Sequence, residues 1–119
     1  MASREIPPSI QQQLIRLQQL QQTLNVLVAE KQRIETELAE INNALEELNK
    51  VDDNTTIYKA VGTVLIQTNK NKLVSELNER KELADTRLKV LERQESRTRA
   101  QLEELQKELQ RALGGQTPS

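Results

Sequence analysis

"TTIYKAVGTVLIQTN", Thr55 to Asn69, is the stretch that decides the fold. It is rich in β-branched residues and holds Tyr58, the only aromatic side chain in the chain. The sequence on either side is dominated by Leu, Gln, Glu, Lys and Arg, all strong helix formers. Within the stretch, "IYKAVGTVLIQ" reads as two short strands around Gly62-Thr63. A two-residue turn with glycine first is the signature of a type II′ hairpin. In that register Val61 faces Val64, Lys59 faces Ile66 and Tyr58 faces Gln67. Upstream, "DDNTT" supplies the turn chemistry that ends the preceding helix.

Outward from the hairpin, both flanks carry a 3-4 apolar spacing. In the first arm Ile10, Leu17, Leu24, Lys31, Leu38 and Leu45 take the a positions, and Gln13, Leu20, Leu27, Ile34, Ile41 and Leu48 take d. In the second, Val74, Lys81, Leu88, Glu95, Leu102 and Leu109 take a, and Leu77, Ala84, Leu91, Thr98, Leu105 and Ala112 take d. A stripe sustained over this many heptads specifies a coiled coil rather than an ordinary surface helix. Pro7 and Pro8 discourage earlier helix, Ser9 and Gln12 have capping-box spacing, and Asn69 is positioned to cap the second arm. Gly114-Gly115 should stop it and leave a mobile tail.

The arms are nearly equal, each about 40 residues and roughly 60 Å long by helix rise. Two matching stripes joined by a short segment should fold back on each other. The predicted architecture is mainly α: a long antiparallel coiled-coil hairpin over residues 9–50 and 70–113, a β-hairpin over 55–68 at its closed end, and a tail over 114–119, all in one domain. Folding about residue 62 brings Lys31 and Glu95 to similar heights, within about one turn of roughly 5.4 Å. They either pair and fix the register or turn outward to water.

The hairpin has apolar residues on both faces, Ile57, Val61, Val64 and Ile66 on one and Tyr58, Ala60 and Leu65 on the other. A two-helix stalk is too narrow to cover both, a lone two-stranded hairpin is marginal in water, and its open edges recruit other strands. Ile57, Tyr58, Ala60, Val61, Gly62, Val64, Leu65 and Ile66 therefore form a candidate assembly module, completing a sheet or barrel with copies of the chain or with related chains.

Composition narrows the function. Aromatic content is 1%, with neither Phe nor Trp to fill a thick globular core. The net charge of −1 gives no broad attraction to nucleic acid or anionic membrane. No apolar run approaches the roughly 18 residues of a membrane span, and "MASREIPPSIQQQ" lacks the apolar core of a signal peptide. An intracellular, cytoplasmic protein is the expectation. With no His or Cys and no glycine-rich phosphate loop, the sequence offers no catalytic, cofactor or metal site. Asp52 and Asp53 read as turn residues rather than ligands.

An arm, a single hairpin and a second arm together resemble the prefoldin family, specifically its beta class. The resemblance covers essentially the whole chain and rests on "IYKAVGTVLI" (Ile57 to Ile66), "LERQES" (Leu91 to Ser96) and "IQQQLIRLQQLQQTL" (Ile10 to Leu24). The alpha class has a longer middle with two hairpins, and there is room here for one. A compact length without Cys or His fits an archaeal member better than a eukaryotic one. The resemblance implies a hexamer of two alpha and four beta subunits, with hairpins building a double β-barrel platform from which coiled-coil tentacles hang. It also implies an ATP-independent holdase whose tentacle tips capture unfolded proteins and pass them to a group II chaperonin.

That mechanism has a physical reading in the residues. Gln13, Thr98 and Ala112 at d leave a thin or polar seam near the tips. Ends that pack weakly can splay and expose Ile6, Ile10, Leu14, Leu17, Leu105, Leu109 and Leu113. Ile6, Ile10, Leu14, Leu109 and Leu113 are the candidate client contacts, although Leu109, like Leu17 and Leu105, also reads as ordinary seam packing. The alternative function is a structural coiled-coil tether or dimerisation module, which would have no need of the hairpin.

Overall fold

The computed structural model describes residues 6–114. Helix α1 spans Pro8–Asn49, strand β1 Ile57–Val61, strand β2 Val64–Thr68 and helix α2 Lys70–Gly114. Every predicted a and d position is buried or half-buried except Ala112, which is exposed. The heptad stripe is thus the line along which the two helices meet, an antiparallel coiled-coil hairpin.

The chain divides into two compact units. In the terminal unit, residues 1–31 and 91–119, Leu20 and Leu24 of α1 pack with Leu102, Leu105 and Leu109 of α2. Ile10, Leu14, Leu17 and Val28 lean on this cluster. Thr98 is buried at its d position, and its hydroxyl donates to the Gln94 carbonyl at 2.8 Å, so the polar side chain is satisfied within its own helix. In the hairpin unit, residues 32–90, Ile41, Leu48 and Leu77 form the core, joined by Leu45, Ile57, Leu73 and Val74 among others.

The helix starts follow local chemistry. α1 opens at Pro8, one residue before the expected Ser9. A proline at the first helical position has no N–H to leave orphaned. The Pro7 carbonyl accepts from the amides of Ile10 and Gln11, both at 3.0 Å, which places Ser9 inside the helix rather than at its cap. Asn69 caps α2 as expected: its Oδ1 accepts the Lys72 amide at 2.8 Å and its carbonyl accepts the Leu73 amide at 3.0 Å. The expected stop at Gly114-Gly115 and the tail meet the structure only at Gly114, which is the last residue of α2. Residues 115–119 lie outside the described residues.

α1 ends without a left-handed cap, tightening instead through Lys50 N–H to the Glu47 carbonyl and Val51 N–H to the Leu48 carbonyl. A turn closed by Thr55 N–H to the Asp52 carbonyl follows. β1 and β2 pair antiparallel with Tyr58 opposite Gln67, Lys59 opposite Ile66 and Val61 opposite Val64, the register read from sequence. Gly62 has φ of 61° and no other described residue has positive φ, so Thr63 does not. That sign pattern belongs to type II′ and excludes I′, which needs both central residues positive.

Candidate functional site

The hairpin gathers five exposed large hydrophobic side chains on two short strands. Tyr58 is 58% exposed, Val61 47%, Val64 57%, Leu65 68% and Ile66 48%. Alternation along the strands puts Tyr58, Ala60, Leu65 and Gln67 on one face, all exposed. Ile57, Lys59, Val61, Val64, Ile66 and Thr68 share the other. Only the root of that second face is covered, where Ile57 packs on Ile41, Leu48 and Leu77. Because the sheet has two strands, each also has an outer edge with unpaired backbone groups. Of the proposed assembly residues, Ile57 therefore belongs partly to the chain's own core, while Tyr58, Ala60, Val61, Gly62, Val64, Leu65 and Ile66 face solvent.

Lysines anchor the hairpin roots. Lys59 Nζ meets Glu76 Oε2 of α2 at 2.9 Å. The hydrogen bond from Lys59 holds the Glu76 carboxyl below the usual glutamate range. Lys70 Nζ donates to the Val51 carbonyl at 2.9 Å and lies 3.5 Å from Asp53 Oδ1. It places a cation beside the carbonyls at the end of α1, where the helix dipole favours it. Neither contact was foreseen from sequence, since both join a strand or loop to a helix and leave no mark in the periodicity.

In the terminal unit the five proposed client contacts fall into two sets. Ile6 and Leu113 are exposed. Ile10 and Leu14 are half-buried against the leucine cluster, and Leu109, at 5% exposure, is inside it. Leu14, Leu17, Leu109 and Leu113 line a shallow apolar groove rimmed by Lys107 and Gln110. Leu109 reaches this groove only by its edge, so contact with a client would require the helix ends to part. The heptad reading passed over Ile15, Val26, Leu83 and Val90, apolar side chains exposed outside the seam. Apolar residues off the a and d positions were the signal that marks them.

Lys31 and Glu95 do pair, Nζ to Oε1 at 2.9 Å. Arg99 joins Glu95 through Oε2 at 2.8 Å. The Lys31 and Arg99 hydrogen bonds hold the Glu95 carboxyl below its ordinary value of 4.5. A carboxylate whose pKa is lowered in the folded state adds stability above the ordinary value, and that contribution is lost as pH falls through the lowered one. Glu95→Gln is expected to lose about 1 kcal/mol at neutral pH, a modest figure because the pair is partly hydrated. The gap to the parent should close as pH drops below 4.5. Lys31→Met should lose less, because Arg99 still holds the carboxylate. Thermal melts at neutral and acid pH check both. An equal gap at the two pH values would mean that the Glu95 charge does not contribute to stability.

Among the described residues there is no group of three or more His, Cys, Asp or Glu placed to hold a metal ion. Nor, among them, is any helix long and apolar enough to cross a membrane. What the geometry offers is apolar surface, on a hairpin at one place and at the helix ends at another. Comparison with known proteins puts this arrangement in company. A sequence profile of the prefoldin subunit family matches residues 11–116. The prefoldin subunit beta of Sulfurisphaera tokodaii is 43% identical over 116 residues, covering 98% of this chain and 93% of the relative. That of Archaeoglobus fulgidus is 43% identical over 112 residues, covering 94% of this chain and 97% of the relative. The crystal structure of the prefoldin beta subunit from Thermococcus strain KS-1 is similar with a TM-score of 0.84 at 40% identity, covering 98% of this chain and 100% of that one. All three relatives are archaeal. Two helices around a single bare hairpin, and 43% identity to a beta subunit over 98% of the chain, have one common explanation: the chain belongs to the prefoldin family of chaperone subunits, in its beta class.

Proposed function

We propose that this chain is the beta subunit of an ATP-independent cytoplasmic holdase, assembled as two alpha-class and four beta-class subunits. In that complex the hairpins build a shared β-barrel platform, the helix ends capture unfolded proteins, and the cargo passes to a group II chaperonin. The observation that carries the reading is the hairpin, which exposes Tyr58, Val61, Val64, Leu65 and Ile66 to water in the single chain. Exposed apolar side chains on both faces of a ribbon with open edges are stable only when something covers them. A barrel of such ribbons covers faces and edges together.

Tyr58 makes the test direct. It is the only aromatic residue and lies on the bare face. Fluorine-labelled tyrosine incorporated into this chain alone reports that one position by fluorine NMR, even in a mixture with the alpha-class partner. The resonance should be open to a soluble paramagnetic quencher in the free chain and shielded about tenfold once the complex forms, as expected of a side chain moved into a packed interior. The same complex should suppress aggregation of a diluted denatured protein without nucleotide. A complex in which Tyr58 stays as accessible as in the free chain would place the assembly surface elsewhere.

A further inference from the structure

The hairpin joins its two helices very differently. Between α1 and β1 lie residues 50–56, whereas between β2 and α2 lies Asn69 alone. The ribbon is thus hung from α2 by a one-residue joint, and its pitch about that joint decides how it faces a neighbour. Lys59 spans the joint. It is the one charged side chain on a face otherwise made by Ile57, Val61, Val64, Ile66 and Thr68, and its cross-strand partner is Ile66 rather than an acid. Its ammonium reaches Glu76 at 2.9 Å, 17 residues along the chain. Glu76 stands at a c position, off the helix seam. The two side chains are 40% and 38% exposed, and a pair so hydrated adds little to stability. A contact of small energetic weight placed across a hinge controls direction rather than folding.

We infer that Lys59 and Glu76 are positioning residues, a strut across the Asn69 joint that holds the hairpin at the angle its assembly partners require. Ile57 in the core and Lys70 on the Val51 carbonyl fix the root of the ribbon. The strut fixes its lean. Assembly through several interfaces at once needs every ribbon at the right angle, and a ribbon free to tilt loses the effective concentration that links one contact to the next. The inference rests on assembly through the hairpin, as proposed above.

The test uses the full chain. It has no cysteine, so Thr63→Cys in the turn and Glu79→Cys on α2 accept paramagnetic labels cleanly. In the parent the label-to-label distances should form one narrow distribution. Glu76→Gln or Lys59→Met should broaden it. Either variant should also weaken assembly with the alpha-class partner about tenfold, while its melting temperature stays within about 2 °C. The double variant Lys59→Glu with Glu76→Lys restores the pair in reverse and should recover both the narrow distribution and the affinity. An unchanged distribution or unchanged affinity in the single variants overturns the inference, as does a failure of the charge swap to rescue. If Tyr58 remains open in the wild-type complex, the assembly reading fails and takes the strut's role with it, whatever the distances show.

Discussion

Val64→Asp is expected to yield a chain that is fully helical and no longer assembles. Val64 is 57% exposed in the single chain and sits beside the turn, opposite Val61. A carboxylate there is hydrated, so the chain itself should fold as before. In the platform proposed above the same position would be covered, and an unpaired buried charge there would cost several kcal/mol in each copy. Ile66→Asp should act in the same direction but less strongly, because residue 66 lies opposite Lys59, which can meet the new carboxylate. Leu83→Asp is the control, since Leu83 is the more exposed at 72% yet lies on α2 away from the hairpin strands. Sedimentation velocity should show full-size complex with Leu83→Asp and separated subunits with Val64→Asp, at equal helicity by circular dichroism. Complex of normal mass from Val64→Asp would mean that the hairpin is not the joining surface.

Removing the exposed side chains at the helix ends should leave the complex whole and blunt its grip on clients. Ile6 and Leu113 are 41% and 58% exposed, so replacing both with serine takes little from the leucine cluster. Each apolar side chain contributes about 1 to 2 kcal/mol to a contact that buries it. In the proposed complex, four beta copies acting on one non-native chain would compound the loss, because each bound arm would raise the effective concentration of the next. Protection of a diluted denatured protein, followed by light scattering, should then fall several-fold at equal complex mass. Leu109→Ser is a poor substitute for this experiment, since Leu109 is buried among Leu20, Leu24, Leu102 and Leu105 and its loss loosens the coil itself. Undiminished protection by the Ile6→Ser, Leu113→Ser chain would move client contact away from these residues.

Much of this arrangement is legible in the sequence, and the illegible remainder has a common cause. Heptads encode which side of a helix is covered, so the stripe from Ile10 to Leu48 and its counterpart from Val74 to Leu109 could be read position by position. Strand alternation and Gly62-Thr63 gave the hairpin register in the same way. Lys31 and Glu95 were visible as two polar interruptions at matching heights, and distance alone was needed to choose between pairing and hydration. The helix start was misplaced by one residue because Pro8 suits the first helical position as well as Ser9 suits a cap. Lys59 with Glu76 and Lys70 with Val51 had no periodic signature at all. Such contacts depend on how a ribbon leans on a helix, which is a property of three dimensions and not of spacing. The same holds for Ile6 and Leu113: their positions in the chain mark them as ends, but their exposure is known only once the cluster beside them is seen.

The Lys31, Glu95 and Arg99 contacts have a consequence for how the chain finds its fold. A ladder of near-identical leucine rungs can be zipped up one heptad out of step with little loss of buried surface, and nothing in the leucines themselves reports the mistake. The charged rung does. Slide one helix by seven residues and Lys31 lands where Leu88 or Leu102 should be met, while Glu95 is carried to the level of Leu24 or Leu38. Every such misalignment parts the two ions and sets each beside hydrocarbon, and among these alignments only one brings them together. The rung works as a check digit in a repetitive code: it adds little to the message, and it tells the right copy from a wrong one.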